Sequence, residues 1–125
     1  MNLIHRIPQT VSTPLVAFDP AAAELRLSGE SYPENSFEFY EPISKSVKVL
    51  LSESKKMNLV IDISYMNSSS TKCVLDLLDL LEEAHGEGAE VSVVWHYDKD
   101  NPRSLDLAEE FKEEFTLPFH MVQSN

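Results

Sequence analysis

A strand–helix–strand unit in the middle of the chain constrains its fold more than any other feature. Residues 57–64, "MNLVIDIS", form a short and nearly continuous apolar run, which is typical of a strand covered on both faces. Residues 90–97, "EVSVVWHY", predict a second strand. Residues 70–84 between them have helical periodicity, and Gly86 or Gly88 can adopt the left-handed conformation that ends a helix. Strands joined through a helix pair in parallel, so the unit predicts an α/β fold.

The flanking segments continue this alternation of strands and helices. Residues 15–18 and 24–28 predict two short strands joined by a turn around Asp19-Pro20, and we expect this pair to form an antiparallel edge of the sheet. A helix follows "SYPEN", because its apolar residues recur at spacings of three and four. These residues are Phe37, Tyr40, Ile43, Val47 and Leu50. Pro42 has no N–H and must therefore lie in the first turn of that helix or cause a kink.

The last third of the chain predicts one more helix and one more strand. Asn101 is suited to the N-cap of the helix and Pro102 to its first position. Residues 117–122 predict the final strand. We therefore expect residues 1–125 to form a single α/β domain. It has a mixed, mainly parallel central sheet, an N-terminal antiparallel strand pair and about three helices.

Charge and composition exclude several classes of function. The chain has 10 basic and 21 acidic residues, a formal net charge of −11, which repels nucleic acid and anionic membrane surfaces. No apolar run approaches the roughly 20 residues of a membrane-spanning helix, and the N-terminus does not resemble a signal peptide. The single cysteine, Cys73, cannot form an internal disulfide. These features predict a cytoplasmic protein.

Hydroxyl side chains are concentrated at the start of the central helix, in "NSSST". One interpretation is a redundant N-cap, since Asn and Ser both accept hydrogen bonds from the free N–H groups of a helix start. The other is a modification site, because a phosphate on an exposed serine would meet the positive end of the helix and its unpaired N–H donors. The residues alone leave both interpretations open.

Catalytic and metal chemistry have less support. A serine nucleophile would need a base, and only His96 with Asp98 behind it could approach Ser69, but the chain has no Gly-x-Ser-x-Gly elbow. The four histidines, His5, His85, His96 and His120, are scattered without metal-ligand spacing. No glycine-rich loop is present to cradle a phosphate, so we predict neither a cofactor nor a metal. We expect Cys73 to be a small buried side chain.

The "SYPEN" segment permits two interpretations. Asn35 or Ser36 could cap the following helix and Pro33 could stiffen its approach, but these roles do not explain Tyr32, which must pack or bind. A small-molecule or lipid carrier is a further alternative, with a groove lined by aromatic residues. Those residues are Tyr32, Tyr40, Trp95 and Tyr97.

Four segments together resemble one protein family: "SGESYPENSFEFYEPI", "YMNSSSTKCVLDLLDLLEEAH", "VVWHYD" and "AEEFKEEFTLPF". They are similar to the SiaC family of bacterial regulatory phosphoproteins, over about residues 12–119. The family in turn resembles the STAS domains of anti-anti-sigma factors. The resemblance implies a non-enzymatic adaptor that a Ser/Thr kinase phosphorylates and a PP2C-like phosphatase dephosphorylates. It also implies that the unmodified form activates a diguanylate cyclase, in control of cyclic-di-GMP and biofilm behaviour.

The resemblance also implies the position of the modified residue. The family phosphoacceptor directly follows the Asn of an Asn-Thr-Ser-Ser motif, which places it on Ser68, after Asn67. Ser69 is the second choice, because anti-anti-sigma factors are modified in an Asp-Ser-Ser-Gly turn, and Ser70 replaces the glycine of that turn. We expect the effector surface to include the serine turn and to border the "SYPEN" loop. The predicted partner-binding residues are Asn67, Ser68, Ser69, Lys72, Tyr32, Pro33, Glu34 and Asn35.

Overall fold

The fold is a six-stranded sheet with three helices, seen in a computed structural model that describes residues 6–123. The strands lie in chain order across the sheet. The first three pair antiparallel and the rest pair parallel, which confirms the predicted mixed α/β architecture. The elements are β1 Arg6–Ile7, β2 Leu15–Asp19, β3 Glu24–Ser31, α1 Ser36–Ser54, β4 Lys56–Met66, α2 Ser68–Gly86, β5 Glu90–Tyr97, α3 Pro102–Glu114 and β6 Phe119–Gln123.

Three details differ from the sequence prediction. Strand β1 was not predicted, because two residues are too short to show a periodicity. Pro42 lies in the second turn of α1, so the first of its two predicted alternatives, a place in the first turn, is wrong. Asn101 occupies the N-cap position of α3 but makes no capping hydrogen bond through its side chain. Its amide instead donates to the carbonyl oxygen of Ser64, at 3.4 Å, and thereby ties the start of α3 to the end of β4.

The three helices pack on one face of the sheet. Right-handed crossovers between strands in consecutive order place every helix on the same side. One hydrophobic core accordingly contains buried residues of all three helices together with alternate residues of the strands. The expectation that residues 57–64 are covered on both faces is therefore wrong. Asn58 and Asp62 point to the other face and are half-buried, and the buried Val60 between them lies outside the core.

Polar side chains on the face without helices pair across neighbouring strands. Asn58 of β4 accepts a hydrogen bond from the Ser92 hydroxyl of β5 at 2.8 Å, and its amide lies 3.5 Å from the carboxylate of Glu24 in β3.

At the edge of the sheet opposite β1, the carboxylate of Glu82 in α2 binds the turn before β6. It accepts hydrogen bonds from the backbone N–H groups of Thr116 and Leu117, the shorter at 2.8 Å.

A bulge changes the side-chain phase at the end of β4. Gly29 pairs with Ile63, but the next residue, Glu30, pairs with Tyr65, so Ser64 is an extra residue in β4. Beyond the bulge Met66 packs on the core, whereas Tyr65 turns outward and is 51% exposed. All three helices begin at this edge of the sheet, where the parallel strands end.

Candidate functional site

Asn67 caps α2, and the serines after it form the first turn of the helix. The Asn67 side-chain oxygen accepts a hydrogen bond from the backbone N–H of Ser70 at 2.9 Å. Its backbone oxygen accepts from both the N–H and the hydroxyl of Thr71, at 2.9 and 3.0 Å. The helix therefore begins at Ser68, two residues before the predicted start at Ser70. The capping hydrogen bond is made by Asn67 without any serine hydroxyl, so the cap does not explain the three serines.

The three serine hydroxyls lie in three different environments. Ser68 is exposed, Ser69 is half-buried and Ser70 has no exposed surface. Among residues 6–123, no side chain or backbone group forms a hydrogen bond with the Ser68 hydroxyl. Ser68 is therefore the only hydroxyl of this turn that is both accessible and not engaged elsewhere in the described structure. It also lies at the N-terminus of a 19-residue helix whose first turn contains no acidic residue.

Ser69 and Ser70 belong to a chain of hydrogen-bonded hydroxyl groups that we call the hydroxyl relay. It joins the start of α2 to the end of β3 and to the first turns of α1. The consecutive distances are 2.8 Å from Tyr40 to Ser31, 2.8 Å from Ser31 to Ser70, 3.1 Å from Ser70 to Ser36, 2.7 Å from Ser36 to Ser69 and 3.3 Å from Ser69 to the Asn67 side-chain oxygen. Tyr40, Ser31, Ser36 and Ser70 are all buried, so the relay provides partners for hydroxyls that would be costly to leave unpaired.

The relay has one consistent direction. A hydroxyl carries one hydrogen, and that of Ser31 is donated to Ser70. Tyr40 must therefore donate to Ser31. The hydrogen of Ser69 is donated to the side-chain oxygen of Asn67, so Ser36 donates to Ser69. Because the hydrogen of Ser36 is used in that bond, Ser70 must donate to Ser36. Each member thus donates to the next, and the relay ends on an acceptor that has no hydrogen to give.

Burial at the inner end of the relay keeps its tyrosine neutral. Loss of solvent raises the pKa of Tyr40 to about 12, although its hydrogen bond with Ser31 works in the opposite direction. Tyr40 therefore remains a hydrogen-bond donor at any physiological pH.

The "SYPEN" segment lies beside the serine turn, as predicted. Ser31 and Ser36, which flank Tyr32–Asn35 in the sequence, both bond to Ser70, and the backbone N–H of Asn67 donates to the carbonyl oxygen of Ser31 at 3.0 Å. Asn35 caps α1 by accepting from the backbone N–H of Glu38 at 3.0 Å. Pro33 is half-buried and Glu34 is exposed.

Tyr32 packs against an aromatic residue that the sequence did not single out. Its ring contacts that of Tyr65 edge to face, with 6.0 Å between the ring centroids. Because the bulge turns Tyr65 outward, this pair forms a partly exposed aromatic surface next to Ser68. Tyr65 precedes the serines in the sequence, but its exposure depends on the bulge and so could not be read from a strand pattern.

Lys72 and Cys73 do not contribute directly to the helix start. The Lys72 ammonium group lies 2.9 Å from the carboxylate of Asp76, one turn further along α2, and this hydrogen bond and charge raise the pKa of Lys72. Cys73 is buried as expected, and burial raises the pKa of its thiol. A thiol in this state is a poor nucleophile.

The proposed catalytic triad is not assembled. Trp95 points into the core, so the adjacent His96 points to the face of the sheet without helices, whereas Ser69 lies on the helical side and bonds to Ser36 and Asn67. Within residues 6–123 no three His, Cys, Asp or Glu side chains come together as a metal site, and His5 lies outside the described residues.

The four aromatic residues predicted to line a carrier groove do not form one, since Tyr40 is buried in the core and bonds to Ser31. A cavity of about 310 Å³ instead lies between the starts of α2 and α3. Ser68, Trp95 and Arg103 contribute to its lining. No helix within residues 6–123 has the length and apolar character needed to cross a bilayer.

Comparisons with known proteins agree on one family. A family model described as SiaC family regulatory phosphoprotein matches residues 7–124. An uncharacterised protein of Pseudomonas aeruginosa strain UCBPP-PA14 is 45% identical over 120 residues, which cover 95% of this chain and 94% of the relative.

Solved structures from Pseudomonas aeruginosa have the same fold. Apo-SiaC is 42% identical, with a TM-score of 0.90 over 98% of this chain and 99% of that one. SiaC in complex with the diguanylate cyclase SiaD, of which it is the activator, is 43% identical, with a TM-score of 0.90 over 94% of this chain and 98% of the other.

Proposed function

Because the chain belongs to the SiaC family of regulatory phosphoproteins, we propose that it is a protein-binding switch that activates a diguanylate cyclase and is controlled by phosphorylation of Ser68. The activation part of the proposal rests on the similar SiaC chain, which forms a complex with the diguanylate cyclase SiaD as its activator. The role follows from binding and requires no catalytic residues in this chain.

One observation carries the choice of Ser68. Its hydroxyl is exposed and unbonded within the described structure, whereas Ser69 and Ser70 are members of the hydroxyl relay. Phosphorylation of Ser69 would remove the hydrogen that it donates to Asn67, and Ser70 is inaccessible without opening the core. A kinase can therefore modify Ser68 at no cost to the fold, with Ser69 as the second candidate.

Reversible control requires two further partners, a Ser/Thr kinase and a PP2C-like phosphatase. A phosphate on Ser68 adds about 1.5 to 2 negative charges at the start of α2. The unpaired N–H groups and the positive end of this long helix stabilise that charge in the free protein. The modified state is thus compatible with the native fold, so phosphorylation changes the surface and leaves the core intact.

The surface that binds the cyclase comprises the serine turn and the "SYPEN" loop, in this proposal. The partly exposed Tyr32–Tyr65 pair supplies an aromatic contact, of the kind that often dominates interface energies. A phosphate beside this pair would have to be desolvated on binding, or would repel acidic groups of the partner. Phosphorylation is therefore expected to release the cyclase.

The test compares forms of the protein that differ only in the position of one phosphate. Phosphoserine is incorporated during translation at position 68. In a matched control it is incorporated at the exposed Ser52, near the C-terminus of α1 and away from the serine turn. Each form is added to the cyclase SiaD with GTP, and cyclic-di-GMP formation is measured. The unmodified protein, Ser68→Ala and the Ser52 form should activate the cyclase, and the Ser68 form should not.

Two results would contradict the proposal. If the unmodified protein neither binds nor activates the cyclase, the adaptor role is wrong. If the Ser68 and Ser52 forms activate equally, the switch is not at Ser68. Intact mass after incubation with the cognate kinase and ATP then identifies the acceptor, since a single phosphate addition should disappear in Ser68→Ala.

A further inference from the structure

The cavity between the starts of α2 and α3 has an unusual charge for this protein. About one residue in six of the chain is acidic, yet none of the twelve residues that line this cavity within the described structure carries a carboxylate. The lining includes one cation, Arg103, together with hydroxyl and amide side chains such as Ser68, Ser104 and Asn67. Asp98 and Asp100 precede α3 in the chain, but neither lines the cavity. The lining side chains therefore carry one positive and no negative charge, in a protein of net charge −11.

Two helix N-termini add to this positive potential. Helix α2 has 19 residues and α3 has 13, and neither has an acidic residue in its first turn. The Asn101 side chain makes no capping hydrogen bond to α3, and its amide N–H donates to the carbonyl oxygen of Ser64. The dipoles and free N–H groups of both helices thus favour an anion at the cavity.

An unpaired donor in the wall provides independent support for a ligand. Trp95 is 1% exposed and lines the cavity, and its indole Nε1–H has no hydrogen-bond partner within the described structure. It is the only buried side-chain polar atom of residues 6–123 in this state. A buried indole N–H usually has an acceptor, so an oxygen atom of a molecule in the cavity would satisfy it.

Arg103 is available to bind such a molecule. Its side chain is exposed and forms no salt bridge with a described residue. The guanidinium group matches the geometry of phosphate oxygens through paired N–H donors. Small-molecule sites typically begin at about 300 Å³, so the cavity holds more than an isolated phosphate ion.

We propose that this cavity is a binding site for a phosphate monoester, with Arg103 and the two helix starts binding the phosphate and Trp95 donating to an oxygen atom deeper in the cavity. The phosphate has two possible sources, a small phosphorylated molecule or the side chain of phosphorylated Ser68, which itself lines the cavity. The second source rests on the proposed function, whereas the first does not.

The first experiment tests a free ligand on the unmodified protein. Trp95 is the only tryptophan, so its emission reports on the cavity directly. O-phospho-L-serine and glycerol 3-phosphate are titrated as probes at constant ionic strength. L-serine and glycerol, which lack the phosphate, are the controls. We expect saturable emission changes with the phosphorylated probes alone. Arg103→Gln should weaken binding about tenfold or more, and Lys112→Gln, which removes a charge from the last turn of the same helix, should not.

The second experiment tests the covalent source and does not need the kinase. Phosphoserine is incorporated at position 68, and the second pKa of its phosphate is followed by phosphorus NMR. Contact with Arg103 and the helix starts favours the dianion and should lower this pKa. The lowering should be lost in Arg103→Gln and retained in Lys112→Gln, and Trp95 emission should differ from that of the unmodified protein.

Each combination of results decides the question. Saturable, Arg103-dependent binding of the probes supports a free ligand. If the probes fail to bind and the phosphoserine shows the Arg103-dependent pKa, the site receives the phosphate of Ser68. If neither response depends on Arg103, the proposal is wrong, even if phosphorylation of Ser68 still controls the cyclase. Trp95→Phe, followed by calorimetry, should weaken whichever binding is found, because phenylalanine keeps an aromatic ring in the core but has no N–H donor.

Discussion

Replacement of Ser70 by alanine should destabilise the protein far more than replacement of its neighbour Ser68. Ser70 has no exposed surface, and its hydroxyl accepts a hydrogen bond from Ser31 and donates one to Ser36. Its removal leaves a buried donor on Ser31 without a partner and deprives Ser36 of a donor. Each buried group left unsatisfied costs about 1–3 kcal/mol, so we expect a loss of about 2 kcal/mol in the free energy of unfolding.

The other effects of this substitution are small or have the opposite sign. The backbone N–H of Ser70, which Asn67 caps, is retained. Alanine is also the stronger helix former, by a few tenths of a kcal/mol. Ser68→Ala is the matched control in the same turn, and an exposed substitution of this kind should change stability by no more than about 0.5 kcal/mol.

The assay is thermal and urea denaturation followed by far-ultraviolet circular dichroism. For a domain of this size, about 2 kcal/mol corresponds to a decrease in Tm of roughly 6–10 °C. Ser31→Ala, alone and combined with Ser70→Ala, completes a double-mutant cycle in which a coupling energy of about 1 kcal/mol is expected. If Ser70→Ala is as stable as Ser68→Ala, or if the two relay substitutions are additive, the relay does not stabilise the fold as argued.

Three further predictions concern stability. Partial burial opposes the charge of Glu82, but hydrogen bonds from the turn before β6 outweigh it and lower the pKa of Glu82. The stability that these hydrogen bonds contribute is present above the ordinary pKa of about 4.5 and is lost as the pH falls through the folded-state value. Glu82→Gln should therefore reduce the free energy of unfolding by about 1 kcal/mol at neutral pH and by less in acid. Urea titrations at several pH values measure this difference. The raised pKa of Tyr40 gives the opposite pH dependence, because the stability contributed by the neutral tyrosine is complete below pH 10 and is lost as the pH rises towards about 12. In the same titrations, Tyr40→Phe should lower the free energy of unfolding by about 1 kcal/mol at neutral pH and lose less stability than the unmodified protein at alkaline pH. Gly29 has a φ of +116°, so alanine at this position would be strained, and Gly29→Ala should lower the free energy of unfolding by about 1–2 kcal/mol. Gly86→Ala, where a Cβ meets nothing within 4 Å, should be neutral or stabilising. Equal denaturation midpoints for the two variants would contradict this argument.

Local patterns were sufficient to predict the long elements of this fold. The apolar runs of β4 and β5 and the periodicity of α1 depend on residues close together in the sequence, so their order and type could be predicted. The side of the sheet on which the helices pack follows from the order of the strands, which no local pattern contains. A continuous apolar run consequently suggested that β4 is covered on both faces when helices cover only one.

The position of the candidate site was predictable from the sequence, but the hydrogen bonds within it were not. The serine cluster and the "SYPEN" segment are visible in the sequence, and the structure places them side by side. The relay, however, joins Ser31 to Ser70 across 39 positions, and no sequence spacing predicts that contact. The same limit applies to Arg103 and Trp95. They line one cavity with Ser68 only because β4 and β5 end, and α2 and α3 begin, at the same edge of the sheet.

The additional residue at Ser64 separates two properties that a regular strand would couple. In an unbroken strand, the alternation that buries Ile61 and Ile63 would also bury Tyr65, and Met66 would face solvent. With the bulge, the residues of β4 that pack in the core and the residue exposed beside the serine turn are set independently of each other. Deletion of Ser64 would reverse which of Tyr65 and Met66 is displayed, while the earlier part of β4 stays in step with its neighbours. A one-residue change in chain length at this position would therefore alter what the protein presents to a partner before it altered what holds the protein together.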